Sequence, residues 1–195
     1  MARAGYFVVI PDVFRGNPAP DFFSFPEEHK KFDVPAWLAW LAKHPVTTVD
    51  SVIEAVVKEL RANKGVKRIG SVGYCIGGKY VVRFLAEGRG VDAGFIAHPS
   101  LMEAREVKEI VNPLSIAAPE MDSIFPAEKR RETEDILFEK KVPYQVCLYG
   151  DSEHGFAVRA NLKDRKQKFV KESAYIQAVR WFDEWVKDAD VKGKL

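Results

Sequence analysis

Residues 73–78 read Gly73-Tyr74-Cys75-Ile76-Gly77-Gly78, between the apolar run Arg68-Ile69-Gly70-Ser71-Val72 and a helix-like stretch from Lys79 to Ala86. Gly, any residue, Ser or Cys, any residue, Gly, set between a strand and a helix, is the signature of a nucleophile elbow. That sharp turn lifts one side chain above a sheet. It strains the nucleophile's backbone and crowds the positions two before and two after it, a demand that Gly73 and Gly77 meet. The candidate nucleophile is then a thiol, Cys75. A buried cysteine in a Gly-rich turn would read the same from the hexapeptide alone.

Two later segments shift the balance. Ala117-Ala118-Pro119-Glu120-Met121-Asp122-Ser123-Ile124-Phe125-Pro126 and Gly150-Asp151-Ser152-Glu153-His154-Gly155-Phe156 each follow an apolar run. Singly, Asp122 reads as a turn residue and His154 as a loop histidine. In chain order, however, nucleophile, acid and histidine follow the α/β-hydrolase sequence of triad residues, which differs from that of other hydrolase folds.

The rest of the chain alternates strands and helices. Strands are expected at Tyr6–Ile10, Lys67–Val72, Ala93–His98, Leu114–Ala118 and Tyr144–Tyr149, short and nearly continuous in apolar residues, as in parallel sheets covered on both faces. Val49, Val52, Ile53, Val56, Val57 and Leu60 recur at helical spacing, and further helices are expected over Lys79–Glu87, Glu103–Ile110, Ala127–Lys140 and Phe169–Lys187. In the last, Tyr175, Ala178, Val179, Phe182, Trp185 and Val186 share one stripe. This alternation predicts a doubly wound α/β architecture with a mostly parallel sheet flanked by helices. At 195 residues and 47% hydrophobic, the chain suits one domain spanning residues 1–195.

These motifs resemble the dienelactone hydrolase family, whose named activity is carboxymethylenebutenolidase. The resemblance rests on Pro11-Asp12-Val13-Phe14-Arg15-Gly16, Gly73 to Gly78, the acid segment ending Asp122-Ser123-Ile124-Phe125-Pro126, and His154-Gly155-Phe156-Ala157. Ala97-His98-Pro99-Ser100 is similar to fungal members, and the likeness extends to about Trp185. It implies an α/β-hydrolase fold and a Cys75, Asp122, His154 triad cleaving an ester or lactone through a thioester. The family pattern begins with further N-terminal strands, so relative to it this sequence reads as N-terminally truncated. The loop after the third strand of that pattern supplies one oxyanion-hole donor. Two other readings stay open: a weakly active or inactive relative acting as a binding protein, and an acyl-transfer enzyme using the same thiol.

In the hydrolase reading His154 takes the Cys75 proton, Asp122 fixes the imidazole, and the backbone N–H of Ile76 at a helix N-terminus meets the oxyanion. Arg15 and Arg159 are candidates for binding a substrate carboxylate, bidentate in the manner of guanidinium groups, although Arg159 lies one residue further from the histidine than the dienelactone pattern has it. Surface or ion-pair roles are the alternative for both. Phe22, Phe23, Phe25, Phe32, Trp37 and Trp40 either cap a substrate or pack on one another. His98 reads as a packed strand-end histidine, and Cys147 as an inert strand residue.

Composition narrows the partners. A formal net charge of +2 is too mild for a nucleic-acid surface. No run approaches the length of a membrane span, and no signal-peptide pattern is visible. Cys75 and Cys147 form no disulfide framework, which points to a reducing, cytoplasmic setting. The closing Gly193-Lys194-Leu195 is a poor match to a peroxisomal address. No metal-ligand spacing or phosphate loop is present, so no cofactor is expected. The expected partner is a small ester or lactone, the chain being a monomer or homodimer.

Overall fold

The structure, a computed structural model, describes residues 1–19 and 34–187. Phe22, Phe23, Phe25, Phe32 and the carboxy-terminal Gly193-Lys194-Leu195 lie outside the described residues. Two compact units are formed, one of residues 2–65 and one beginning at Val66.

The first unit carries helices α1 (Val34–Ala42) and α2 (Val46–Ala62). Helix α2 starts a turn earlier than its apolar stripe because Pro45 sets the N-cap and its carbonyl accepts from Thr48 N at 2.9 Å. Trp40 is the unit's anchor. Its ring stacks on Trp37 at 5.0 Å and meets Phe14 edge-on at 4.6 Å, while its indole N–H donates to the Asn17 carbonyl at 3.1 Å. For Trp37 and Trp40 this is mutual packing of the aromatic segment. The strand expected at Tyr6–Ile10 is not formed. Those residues belong to no strand, and Phe7 and Ile10 are 76% and 90% exposed. Apolar β-formers make a strand only where a neighbour accepts their hydrogen bonds.

The second unit contains a parallel sheet of β1 (Gly70–Tyr74), β2 (Ala93–Ala97), β3 (Leu114–Met121) and β4 (Tyr144–Glu153), ordered β1-β2-β3-β4. Its helices are α3 (Ile76–Phe84), α4 (Ala104–Lys108), α5 (Ala127–Lys140), α6 (Phe156–Arg159) and α7 (Arg165–Phe182). Strand β2 is buried at every residue, as is β3 from Leu114 to Pro119. Two glycines reveal how tightly both faces are covered. Gly70 pairs with Ala93 and Ser71 with Gly94, so by strand alternation Gly70 and Gly94 face opposite sides. A Cβ on Gly70 would sit 2.7 Å from the Phe182 ring of α7, and one on Gly94 2.7 Å from Val81 and Leu85 at α3.

Helix α7 begins at Arg165 because the Asp164 carboxylate caps it, accepting from Lys166 N at 2.8 Å and Gln167 N at 3.1 Å. Its buried residues are Val170, Ala174, Gln177, Ala178 and Phe182. The expected stripe is therefore turned: Tyr175 is 41% exposed, and buried Gln177 replaces it, donating to Ser115 Oγ and the Ile116 carbonyl.

Candidate active site

In a parallel sheet all strands end on the same side, and the residue immediately after each strand here is a chemical one. Cys75 follows β1, His98 follows β2, Asp122 follows β3 and His154 follows β4.

Cys75 adopts φ 52° and ψ −122°, a strained conformation for a residue with a side chain. It is held there at both ends of its peptide unit. Its N–H donates to the Ala97 carbonyl at 3.2 Å, while its own carbonyl accepts from Gly78 at 2.9 Å and Ser100 at 3.0 Å. Gly73 is required: a Cβ there would lie 2.3 Å from the Gly77 carbonyl oxygen. The expectation that Gly77 is equally crowded is corrected, because a Cβ at Gly77 meets nothing within 4 Å. It is Gly77's carbonyl, not its Cα, that presses on the turn. The second crowded position is Gly78, whose Cβ would come 2.9 Å from Pro99.

Asp122 turns both carboxylate oxygens to use. Oδ1 accepts from the backbone N–H of Ile124 at 2.8 Å and of Phe125 at 3.1 Å, leaving Oδ2 to meet His154 Nδ1 at 2.9 Å. A register shift makes this meeting possible. Pro119 lies opposite Tyr149, yet Met121 lies opposite Glu153, so β4 carries two extra residues in the interval. Asp151, at φ 54°, forms part of that irregularity, and Glu120 accepts its N–H at 2.8 Å. Continued in regular register, Asp122 would stand opposite Ser152; the bulge brings His154 there instead.

The charges are coupled. Burial pushes the Cys75 thiol up, but hydrogen bonding to His154 and Ser100, the His154 charge and the Ile76 N–H together bring it below its ordinary value. Burial likewise opposes the charge on His154, yet Asp122 and Cys75 raise it from 6.5 to about 9. Asp122 is buried, which raises it, and is lowered on balance by His154 and the N–H groups of Phe125 and Ile124. The two shifts run in opposite senses, Cys75 toward its anion and His154 toward its cation. The contact is loose on the sulfur side, since buried His154 Nε2 makes no hydrogen bond of regular geometry among the described residues. Such looseness is common at nucleophile–base pairs without ligand.

Three neighbours complete the site. His98, fully buried, sets its ring 5.0 Å from His154 and is held neutral, its pKa lowered to about 3 mainly by burial. Arg159 in α6 donates to the His154 carbonyl at 3.2 Å and lies so close over Gly155, at φ 93°, that a Cβ there would be 2.2 Å from the guanidinium. Ser100 places its hydroxyl 3.4 Å from Cys75 Sγ. Sequence reasoning missed this serine. The readable signal was a small polar residue just past the strand that neighbours the elbow. Arg15 belongs to the first unit, where it donates to Ser51 Oγ at 3.3 Å. Cys147 lies within β4, half-buried, its thiol pushed up by burial. Among the described residues no cluster of His, Cys, Asp and Glu could hold a metal ion, and no helix is long and apolar enough to cross a membrane.

The model of the dienelactone hydrolase family matches residues 1–186. The chain belongs to that family. Hydrolase pyvD of Aspergillus violaceofuscus is 44% identical over 186 residues, covering 95% of this chain and 72% of that protein. Dienlactone hydrolase 1 of Gibberella moniliformis is 30% identical over 188 residues, covering 95% of this chain and 70% of that one. In fold, the chain is similar to a dienelactone hydrolase-like promiscuous phosphotriesterase from metagenomic libraries. That likeness has a TM-score of 0.63 at 16% identity and covers 81% of this chain and 71% of the other. With the family come an α/β-hydrolase fold, hydrolase chemistry and a small-molecule substrate.

Proposed function

We propose that this protein hydrolyses a carboxylic ester or lactone through a Cys75–His154–Asp122 triad and a thioester acyl-enzyme. The observation that carries the reading is the His154 imidazole, bonded by Asp122 at 2.9 Å on one nitrogen and coupled to the Cys75 thiol on its other side. Because the family match extends over residues 1–186, we read both units as one hydrolase domain.

The Cys75 thiolate attacks the carbonyl carbon, and the electron pair moves to oxygen, where the Ile76 N–H at the start of α3 donates to it. Collapse of that intermediate expels the alkoxide, which takes the proton from His154 Nε2. His154, now neutral, removes a proton from water as the water attacks the thioester. The second collapse restores thiolate and imidazolium. Asp122 remains an anion throughout and keeps Nδ1 protonated. Arg15 and Arg159 are our candidates for a carboxylate on the substrate. The test is turnover of an activated ester with mass spectrometry of the quenched protein. The parent should form an acyl adduct on the peptide containing Cys75, whereas Cys75→Ala should form none and lose turnover. Equal turnover by the two proteins would overturn the proposal.

A further inference from the structure

A thiolate in a half-buried site needs donors, and the geometry offers one that the triad does not include. Ser100 grips residue 75 at two points: its N–H donates to the Cys75 carbonyl at 3.0 Å, and its hydroxyl lies 3.4 Å from Sγ. The serine itself is 5% exposed. Its neighbours His98, Pro99 and Leu101 are each held by a contact. His98 N–H donates to the Ala117 carbonyl at 3.0 Å, and Pro99 packs where a side chain on Gly78 would otherwise go. The Leu101 carbonyl accepts from Lys79 Nζ at 3.0 Å. Lys79, buried at 5% exposure, is locked in turn by Glu103 at 2.9 Å and Glu106 at 2.7 Å. A backbone held this firmly sets the position of the Ser100 side chain before any substrate arrives, the condition under which a donor stabilises charge without reorganising.

We propose that Ser100 is a catalytic residue whose hydroxyl donates to the Cys75 sulfur, stabilising the thiolate at rest and again when the acyl group leaves. The inference rests on the triad reading and adds a donor to it. In the acyl-enzyme the sulfur is a thioester, a poor acceptor, and the hydroxyl gains little from it. When water has attacked and the C–S bond breaks, the electron pair returns to sulfur and Ser100 donates to it once more. No proton is transferred in this role. His154 and Ser100 share the sulfur, the hydroxyl at 3.4 Å, so the anion has a second donor beside the imidazolium, whose proton later goes to the departing alkoxide.

The experiment measures the rate of Cys75 alkylation by iodoacetamide against pH, in the full chain carrying Cys147→Ala so that one thiol reports. Ser100→Ala should raise the apparent thiol pKa by about one unit, a roughly tenfold slower alkylation on the acid side, because a donor to the anion is gone. Ser100→Thr, which keeps the hydroxyl, should restore the parent profile. Circular dichroism checks that the variants are folded, and Ser100→Gly serves as the deletion if Ser100→Ala is not. Superimposed profiles for parent and deletion, or a Thr variant that behaves like the deletion, would overturn the inference. His154→Ala, measured alongside, separates the two readings. If it raises the thiol pKa and loss of Ser100 does not, the triad stands and the Ser100 role falls. If neither variant moves the profile, both fall.

Discussion

His98 makes the fold sensitive to acid, and His98→Phe should remove that sensitivity. The histidine is fully buried among Tyr74, His154 and Phe156, and neither ring nitrogen has a hydrogen-bond partner among the described residues. Burial first, and then the nearby positive charges of His154 and Arg159, lower its pKa from 6.5 to about 3. The folded protein therefore refuses a proton that the unfolded chain accepts. The unfolded state binds more protons between those values, so stability is fully present above pH 6.5 and is lost as pH falls toward about 3. Each pH unit in that window costs about 1.4 kcal/mol, so the loss from neutral pH down to about pH 5 is about 2 kcal/mol. A phenyl ring keeps the aromatic contacts and carries no such linkage. Any fixed packing penalty cancels when each protein is compared with itself at two pH values. Urea titrations of both proteins near neutral pH and near pH 5 measure the difference. Parent and His98→Phe losing the same stability over that interval would refute the reasoning.

On the alkaline side the two shifts of the Cys75–His154 pair oppose each other. The raised pKa of His154 contributes stability lost as pH rises from 6.5 through about 9, while the lowered pKa of Cys75 contributes stability gained as pH rises. The melting temperature should therefore change little across that range, read by calorimetry at several pH values. Asp122→Asn should keep the fold and lower kcat by several orders of magnitude, up to about 10⁴, through loss of tautomer control; steady-state kinetics on an activated ester measure it. Gly73→Ala should cost roughly 1–3 kcal/mol or more and slow Cys75 alkylation, because the new methyl meets the Gly77 carbonyl, while Gly77→Ala should be much milder in the same melts. Cys147→Ala should leave ester turnover unchanged.

Much of the candidate site's geometry was readable because its signals are local. An elbow is a steric requirement written in adjacent residues, and Asp122 and His154 each sit where an apolar run stops. The four sheet strands were visible for the same reason, as was helix α5 from Ala127 to Lys140. What was not readable depends on pairing. Tyr6–Ile10 has strand composition, but only a hydrogen-bonded neighbour would make it a strand. The turned stripe of α7 reflects Gln177, a polar residue buried because Ser115 and Ile116 satisfy it. Ser100 is twenty-five positions from Cys75 and meets it only because β1 and β2 are adjacent in the sheet.

The arrangement also explains how the strained backbone of Cys75 persists. Cys75 sits at φ 52°, and such a conformation costs on the order of 1–3 kcal/mol unless its surroundings dictate it. Two neighbouring segments do so. The segment after β2 binds the Cys75 carbonyl through Ser100, packs Pro99 on Gly78 and ties back to α3 through Lys79. Strand β2 itself accepts the Cys75 N–H at Ala97. The strain is thus opposed by hydrogen bonds to the Cys75 backbone and by an ion-pair cluster that anchors the segment after β2. In the same way the β3–β4 bulge, braced by Glu120, sets the imidazole without drawing on the carboxylate that orients it. Geometry at this candidate site is thus maintained by backbone hydrogen bonds and a bulge that lie outside the Cys75, His154 and Asp122 side chains.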